Sequence, residues 1–417
     1  MPISQLKYYF CFSIQNREHM NNARKIGEDL YWIGASDRRI NLFENIMPVP
    51  QGVSYNAYLL KDEKNVLIDT SDNSVSEQFF ENIYSLVGDN EKLDYIIVNH
   101  VEPDHSSLLC RTAYEYPEAK IICSAQAQKM ILQFFDCIAT DRFITVKEGD
   151  KMSFGKHEFT FCTAPMVHWP EVIVSYDITT KTLFSADAFG TFKALNGNLF
   201  ADEVNFDRDW LDEARRYYTN IVGKYGTQVQ NLLKKTSALE IKMLCPLHGP
   251  IWRENIGYFV DKYDKWSRYE AEDDTILIIY GSLYGHTESA ANIVASRLAE
   301  AGQKNIAMYD ASVTHPSYLL SEAFRCRRIV ILSSTYNAEV YTPVKIFIDE
   351  MKSHNLQNRV FAVAENGTWA PTAGKQMREM LAFNNNVITD NTLTIKSALN
   401  ESQKDSVDKF VNEILNK

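Results

Sequence analysis

Several kinds of chemistry are missing from this 417-residue sequence. None of its seven cysteines (Cys11, Cys110, Cys123, Cys137, Cys162, Cys245 and Cys326) stands in a C-x-x-C pair, which removes iron–sulfur clusters, rubredoxin-type sulfur sites and thioredoxin-type redox pairs. Odd in number and scattered, they read as reduced thiols, mostly buried as small hydrophobes, in a cytoplasmic protein. Basic residues are outnumbered, 43 Lys and Arg against 54 Asp and Glu, for a net charge of −11 spread along the chain. A nucleic-acid scaffold would need basic stripes to neutralise phosphates, so that class is excluded. The longest apolar runs, such as 275–280, suit a buried strand and fall far short of a membrane span. Nor is there an internal repeat or a low-complexity segment. With 45% hydrophobic and 23% charged residues, a collagen-like or extensively disordered chain is excluded as well.

What is present is two rhythms. Residues 1–24 read as an N-terminal extension: the apolar stretch 8–14 has no small-residue cleavage site behind it, and Met20 offers an alternative start. From 25 to 268 short β-rich segments (30–33, 53–60, 65–69, 95–98, 120–123, 158–162, 172–175) alternate with turns and a helix near 75–87. Helical text follows at 209–236 and 256–266, and the charged segment 268–274 forms a boundary. From 275 to 417 the pattern is strict βα alternation, with strands at 276–280, 305–310, 328–333, 359–364 and 392–396, each followed by a helix. Five strands and five helices in that length predict a doubly wound, five-stranded parallel sheet. Two unlike α/β domains are expected.

The sharpest local feature is His100-Val101-Glu102-Pro103-Asp104-His105, directly after the buried strand 95–98. In an extended chain alternate residues share a face, so His100, Glu102 and Asp104 converge, and His105 reaches the same spot. Two imidazoles and two carboxylates in six residues suit a metal. His168, Asp187 and His248 each follow an apolar segment, the two histidines at turns marked by Pro or Gly. Four histidines and three carboxylates suffice for two metals sharing one bridging carboxylate, and no catalytic residue beyond these ligands is expected. Cys245, three residues before His248, reads as core. His19, His157, His315 and His354 have no carboxylates clustered around them in sequence and read as surface or core histidines.

A second constellation opens the C-terminal half. Strand 276–280 runs into Ser282-Leu283-Tyr284-Gly285-His286-Thr287 and then a helix: hydroxyls, a glycine and free backbone N–H groups, an anion cradle without Lys or Arg. It has neither the G-x-x-x-x-G-K-[ST] nor the G-x-G-x-x-G spacing, and Gly367…Gly374-Lys375 is too widely spaced to count. After the third and fourth strands come Ser334-Thr335-Tyr336-Asn337 and Asn366-Gly367-Thr368-Trp369. Each supplies an aromatic with amide or hydroxyl groups, suited to a planar, hydrogen-bonding ring at a sheet switch point.

The H-x-[EH]-x-D-H signature with later His, Asp and His resembles the metallo-β-lactamase superfamily, an αβ/βα sandwich with a two-metal site at its edge. The loop Ser282, Gly285 and Thr287 resembles the flavodoxin phosphate loop [ST]-x-x-G-x-T. The version with Glu in the second slot, joined to a flavodoxin-like domain, is similar to the flavodiiron proteins. The gaps agree: 62 residues between His105 and His168, 18 between His168 and Asp187, and 60 between Asp187 and His248. The resemblance implies FMN on the three loops and two irons, one on His100, Glu102 and His168, the other on Asp104, His105 and His248, with Asp187 bridging. It implies an oxidoreductase that reduces dioxygen to water and/or nitric oxide to nitrous oxide. It also implies a head-to-tail homodimer or dimer of dimers and an external donor such as a rubredoxin-like protein or flavin reductase; no membrane or nucleic-acid partner is expected from the charge and the short apolar runs. Zinc hydrolases of the superfamily usually carry His where Glu102 stands, and an added carboxylate oxygen favours higher-valent iron. The rival readings are a zinc-dependent hydrolase with an appended flavodoxin domain and a non-catalytic electron carrier.

Overall fold

The computed structural model describes residues 20–88 and 91–417; the extension expected at 1–24 lies outside them as far as residue 19. Seven strands form the first sheet in chain order: β1 (Arg24–Lys25), β2 (Leu30–Trp32), β3 (Tyr58–Lys61), β4 (Asn65–Ile68), β5 (Tyr95–Ile97), β6 (Lys120–Ser124) and β7 (Phe143–Val146). β1 to β4 pair antiparallel and β4 to β7 parallel. A second sheet holds β8 (Lys151–Ser153), β9 (Glu158–Thr163), β10 (Ile173–Asp177), β11 (Thr182–Phe184) and β12 (Met243–Cys245).

Period-two alternation explains how these sheets stack. Tyr58, Leu60, Val66, Ile68, Ile97 and Ile122 share one core with Phe159 and Phe184 of the second sheet and with Phe154 just after β8. Their alternate neighbours Leu59, Leu67, Ile96, Ile121 and Cys123 pack instead with Phe79, Phe80 and Ile83 of helix α1 (Ser76–Leu86). The same outer layer holds Leu109 of α3 (Leu109–Glu115) and Ala127 and Ile131 of α4 (Ala125–Phe134), α2 being the short Pro103–Ser106 helix. A strand buried on both faces reads as an unbroken apolar run, which is why 95–98 stands out in the sequence. The result is a sheet-on-sheet sandwich with helices outside, as in metallo-β-lactamases.

Past α5 (Leu211–Tyr217), α6 (Gly226–Thr236) and α7 (Ile256–Ser267), the third sheet begins at Asp273. Its strands are β13 (Asp273–Gly281), β14 (Ile306–Asp310), β15 (Cys326–Tyr336), β16 (Val360–Asn366) and β17 (Val387–Ile395), ordered β14-β13-β15-β16-β17 and all parallel. That order is the flavodoxin-like one, with its switch point between β13 and β15. Helices α8 (His286–Glu300) and α12 (Lys404–Leu415) cover the face bearing Ile276, Ile278, Val330 and Leu332. Helices α9 (Pro316–Arg325), α10 (Thr342–Ser353) and α11 (Ala373–Leu381) cover the other. A short strand Glu339–Val340 pairs antiparallel with the end of β15, an addition to the expected five.

The structure corrects several expectations. The run 53–60 is two strands: Val53–Tyr55 pairs with Ala35–Asp37, and the chain turns at Asn56 into β3. The helical text 209–236 breaks around Gly223, and a Cβ on Gly226 would lie 2.3 Å from the Ser267 carbonyl oxygen, so only glycine lets α6 start there. Cys110 and Cys137 are bonded to each other, their Cα atoms 6.3 Å apart across 27 residues, so these two are not free thiols. Their pairing depends on how α3 packs beside the segment after α4, which their spacing does not reveal. Cys123, Cys245 and Cys326 are buried free thiols, as expected of core positions, and Cys162 is half-buried. No helix among the described residues is long and apolar enough to cross a membrane.

Candidate metal centre and cofactor loops

All seven histidines and carboxylates singled out above meet at one edge of the sandwich, delivered by strand ends. His100 leaves β5, Asp187 follows β11 and His248 follows β12; His168 sits in the β9–β10 connection. Glu102 caps α2 at its N-terminus, and Asp104 and His105 lie within that helix. Convergence is therefore not the simple alternation of an extended chain: Pro103 starts a helical turn that swings Asp104 and His105 onto a second position.

Two donor groups result, His100, Glu102, His168 and Asp187 in one and Asp104, His105 and His248 in the other. Asp187 faces both. Its Oδ2 lies 3.1 Å from His168 Nε2 and 3.4 Å from His100 Nε2, and its Oδ1 lies 3.1 Å from His105 Nε2 and 3.6 Å from His248 Nε2. Glu102 Oε2 stands 3.2 Å from His100 Nε2 and 3.0 Å from His168 Nε2. Asp104 Oδ2 stands 3.3 and 3.2 Å from the Nε2 atoms of His105 and His248.

The electrostatics are those of a cation site. Burial opposes charge on these imidazoles, yet the facing carboxylates override it: Asp187, Glu102 and Glu171 hold His100 well above its ordinary range, and His105 and His168 are pushed up to about 9. Asp187 and Glu102 are driven below the usual carboxylate range, against their own desolvation, by the same histidines. Asp187 Oδ1 and both Asp104 oxygens are buried without a hydrogen-bond partner, and His105 Nε2 and His248 Nε2 face each other at 3.0 Å. Converging lone pairs and orphaned anionic oxygens, all nitrogen and oxygen donors, are what hard or borderline metal ions require.

Residues around the cluster were not singled out from sequence. Glu171 bonds His100 Nδ1 at 2.7 Å, and Asp69 accepts from the backbone of Asn99 and His100. Burial raises Asp69 to about 6. The Ser54 carbonyl takes His248 Nδ1 at 2.7 Å. Glu44 rises to about 8 through desolvation of its carboxyl, with the charge and contact of Glu102 adding to it. Glu171 follows His168-Trp169-Pro170 and Asp69 ends a strand, but an acidic residue in either place carries no signal by itself. His157, expected to be a surface or core histidine, is buried, and it has carboxylates that the sequence did not place beside it: Asp177 Oδ2 at 2.7 Å from Nδ1 and Asp29 Oδ2 at 3.4 Å from Nε2.

The three C-terminal loops meet at the C-terminal ends of β13, β15 and β16. Ser282 Oγ accepts from Gly285 N at 3.0 Å, and Gly285 adopts φ 86°, a left-handed turn open to glycine, just before His286 starts α8. Thr287 Oγ1 lies 2.9 Å from Ser334 Oγ, and Asn366 Nδ2 donates to Thr287 Oγ1 at 3.2 Å, tying all three loops together. Thr368 pairs with Ser397 at 3.1 Å, and Gly367 packs against Pro371 where a Cβ would clash at 2.8 Å. Thr335 Oγ1 is taken by the backbone of Thr372 and Ala373, and Asn337 turns the chain with φ 52°. Around this rim Tyr284 and Trp369 are 92% and 90% exposed, and Tyr336 and Leu283 nearly half so. Exposed rings beside a polar cradle provide faces for a planar cofactor.

Fold and site define a class: a metallo-β-lactamase-like sandwich with a two-position donor cluster, followed by a flavodoxin-like sheet. Comparison with known proteins agrees. Residues 53–249 match the ODP family beta lactamase model. An uncharacterized protein of Methanocaldococcus jannaschii is 30% identical over 380 residues, 90% of this chain and 94% of that protein. The anaerobic nitric oxide reductase flavorubredoxin of Salmonella arizonae is 30% identical over 340 residues, 80% of this chain and 70% of its own length. Among solved structures, rubredoxin oxygen:oxidoreductase from Desulfovibrio gigas superposes with a TM-score of 0.87 at 26% identity, covering 94% of this chain and 98% of that one. A flavo di-iron protein variant from Thermotoga maritima gives 0.86 at 26%, over 95% and 99%. The chain belongs to the flavodiiron protein family.

Proposed function

We propose that this chain is an oxidoreductase that passes electrons from FMN to a non-haem diiron centre and reduces dioxygen to water and/or nitric oxide to nitrous oxide. The observation that carries it is Asp187, which turns one oxygen to each of two donor groups in a chain that continues into a flavodoxin-type cradle at Ser282 to Thr287. His100, Glu102 and His168 would hold one iron and Asp104, His105 and His248 the other. Ser282 to Thr287 would take the FMN phosphate, with Ser334 to Asn337 and Asn366 to Trp369 around the ring. When bound, the metal pair would supply redox chemistry and the flavin would supply electrons.

The chain's own residues prepare that chemistry. Glu171 and the Ser54 carbonyl fix the Nδ1 atoms of His100 and His248, leaving their Nε2 lone pairs for the metal. Phe43, Tyr55 and Tyr217 pack around His248, and Trp169 meets His100 edge-on at 5.4 Å, so the cluster is walled from bulk water by rings. Glu102 adds anionic oxygen where zinc hydrolases of this fold usually have His, which supports iron over the zinc-hydrolase reading.

We infer domains at 25–268 and 275–417, consistent with a third sheet starting at Asp273. Since both sites lie in one chain on separate sheets, we infer a head-to-tail homodimer that sets the exposed Tyr284 and Trp369 rim against a partner's metal mouth; an active monomer in analytical ultracentrifugation contradicts this. The donor is inferred to be a rubredoxin-like protein or flavin reductase, as relatives named flavorubredoxin and rubredoxin oxygen:oxidoreductase suggest. We infer a cytoplasmic setting from the free thiols Cys123, Cys162, Cys245 and Cys326, although Cys110 and Cys137 are bonded to each other. The test is anaerobic reduction of the purified holoprotein followed by O2 and NO consumption on one sample. Consumption of at least one gas well above that by free FMN is expected; none above free FMN refutes the proposal.

A further inference from the structure

The histidines of the two donor groups are backed unequally. His100 donates from Nδ1 to the Glu171 carboxylate at 2.7 Å, whereas His248 meets the neutral Ser54 carbonyl at the same distance and His105 Nδ1 has no partner though buried. With equal lengths, the difference is charge. An anionic acceptor makes a stronger bond and draws the imidazole towards imidazolate, raising the donor strength of Nε2.

Glu171 is built for this task. It is 1% exposed and enters through the loop after His168. Its Oε1 is held a second time by the Val101 N–H at 3.0 Å, and its backbone carbonyl is anchored by Ser124 Oγ at 2.8 Å. Its Oε2 has no hydrogen-bond partner. A fully buried carboxylate that spends one oxygen on both His100 and the adjacent amide holds that bond out of competition with water.

We propose that Glu171 is a positioning residue that makes the two metal positions unequal. The position on His100, Glu102 and His168 is the tighter and more electron-rich one and fills first; the position on Asp104, His105 and His248 fills second. Glu171 touches neither metal nor substrate and acts through His100. The inference rests on the two-metal reading above.

The test is stepwise titration of the metal-stripped, FMN-loaded protein with Co²⁺ alone, followed by the visible d–d bands, for wild type, Glu171→Gln and Glu171→Asp. Wild type shows two separable steps. In Glu171→Gln the neutral amide keeps the hydrogen bond but removes the charge. The first step weakens about 10- to 100-fold and its bands shift, while the second step is unchanged. Glu171→Asp, charged but shorter, recovers part of the first-step affinity and serves also if the Gln chain does not fold. Equal weakening of both steps, weakening of the second alone, or no change overturns the assignment. Wild type binding fewer than two Co²⁺ per chain contradicts the two-metal reading itself, a different result from two steps that ignore Glu171.

Discussion

Replacing Asp187 with asparagine tests the two-metal reading at the residue shared by both donor groups. The side chain keeps its shape, but an anionic oxygen is withdrawn from each group at once, and one becomes an amide whose N–H groups point at a cation. Loss of a residue merely backing a metal ligand lowers affinity about 10- to 100-fold, so loss of a direct donor from each group must cost at least the upper figure. That is ~2.8 kcal/mol per metal at ~1.4 kcal/mol per decade. The metal-free chain should suffer less than the ~3–5 kcal/mol of a broken buried ion pair, because His100, His105 and His168 can release the protons that Asp187 now stabilises. The assay is metal per chain after gel filtration against a weak chelator, with urea unfolding of the stripped protein alongside. Asp187→Asn should lose most of its metal while folding nearly as well as wild type. Retention of both metals by this variant refutes the bridging role.

Other consequences are independent of that one. Thr287→Val removes the hydroxyl shared by Ser334 and Asn366; at ~1 kcal/mol per hydrogen bond, FMN affinity should fall about tenfold or more, read from quenching of flavin fluorescence, with metal content unchanged. His157 is held above its ordinary imidazole value by its bond to Asp177, against the cost of burial. A raised folded-state value stabilises fully below the unfolded imidazole range near pH ~6.5 and is lost as pH rises through the folded value. The unfolding midpoint gap between wild type and His157→Gln should therefore be wide in mild acid and narrow in alkali; a constant gap contradicts it. Cys137→Ser opens a loop of 27 residues, worth ~3–4 kcal/mol in the chain-entropy model. The difference should vanish against wild type unfolded under reductant.

Much of the site was legible because its donors sit in local patterns. His100 to His105 cluster within six residues, and Asp187 and His248 each follow a short apolar strand, so strand ends announce them. The parallel C-terminal sheet was equally plain, since β13, β15 and β16 are buried on both faces and read as unbroken apolar runs. Contacts between distant segments were not legible. Glu171 matters only because β9, β10 and their connection fold back on β5, and Asp29 reaches His157 across 128 residues. The geometry at Asp104 was also mistaken, because Pro103 begins a helix where period-two alternation was expected. The Cys110–Cys137 bond belongs to the same group, set by packing between α3 and the end of α4.

The most direct test of the central claim is the metal and flavin content of the protein purified anaerobically with iron supplied. The account predicts about two iron and one FMN per chain, the iron giving the coupled spectroscopic signature of an adjacent pair. A chain that binds FMN but takes up no iron, or only one iron, would contradict it.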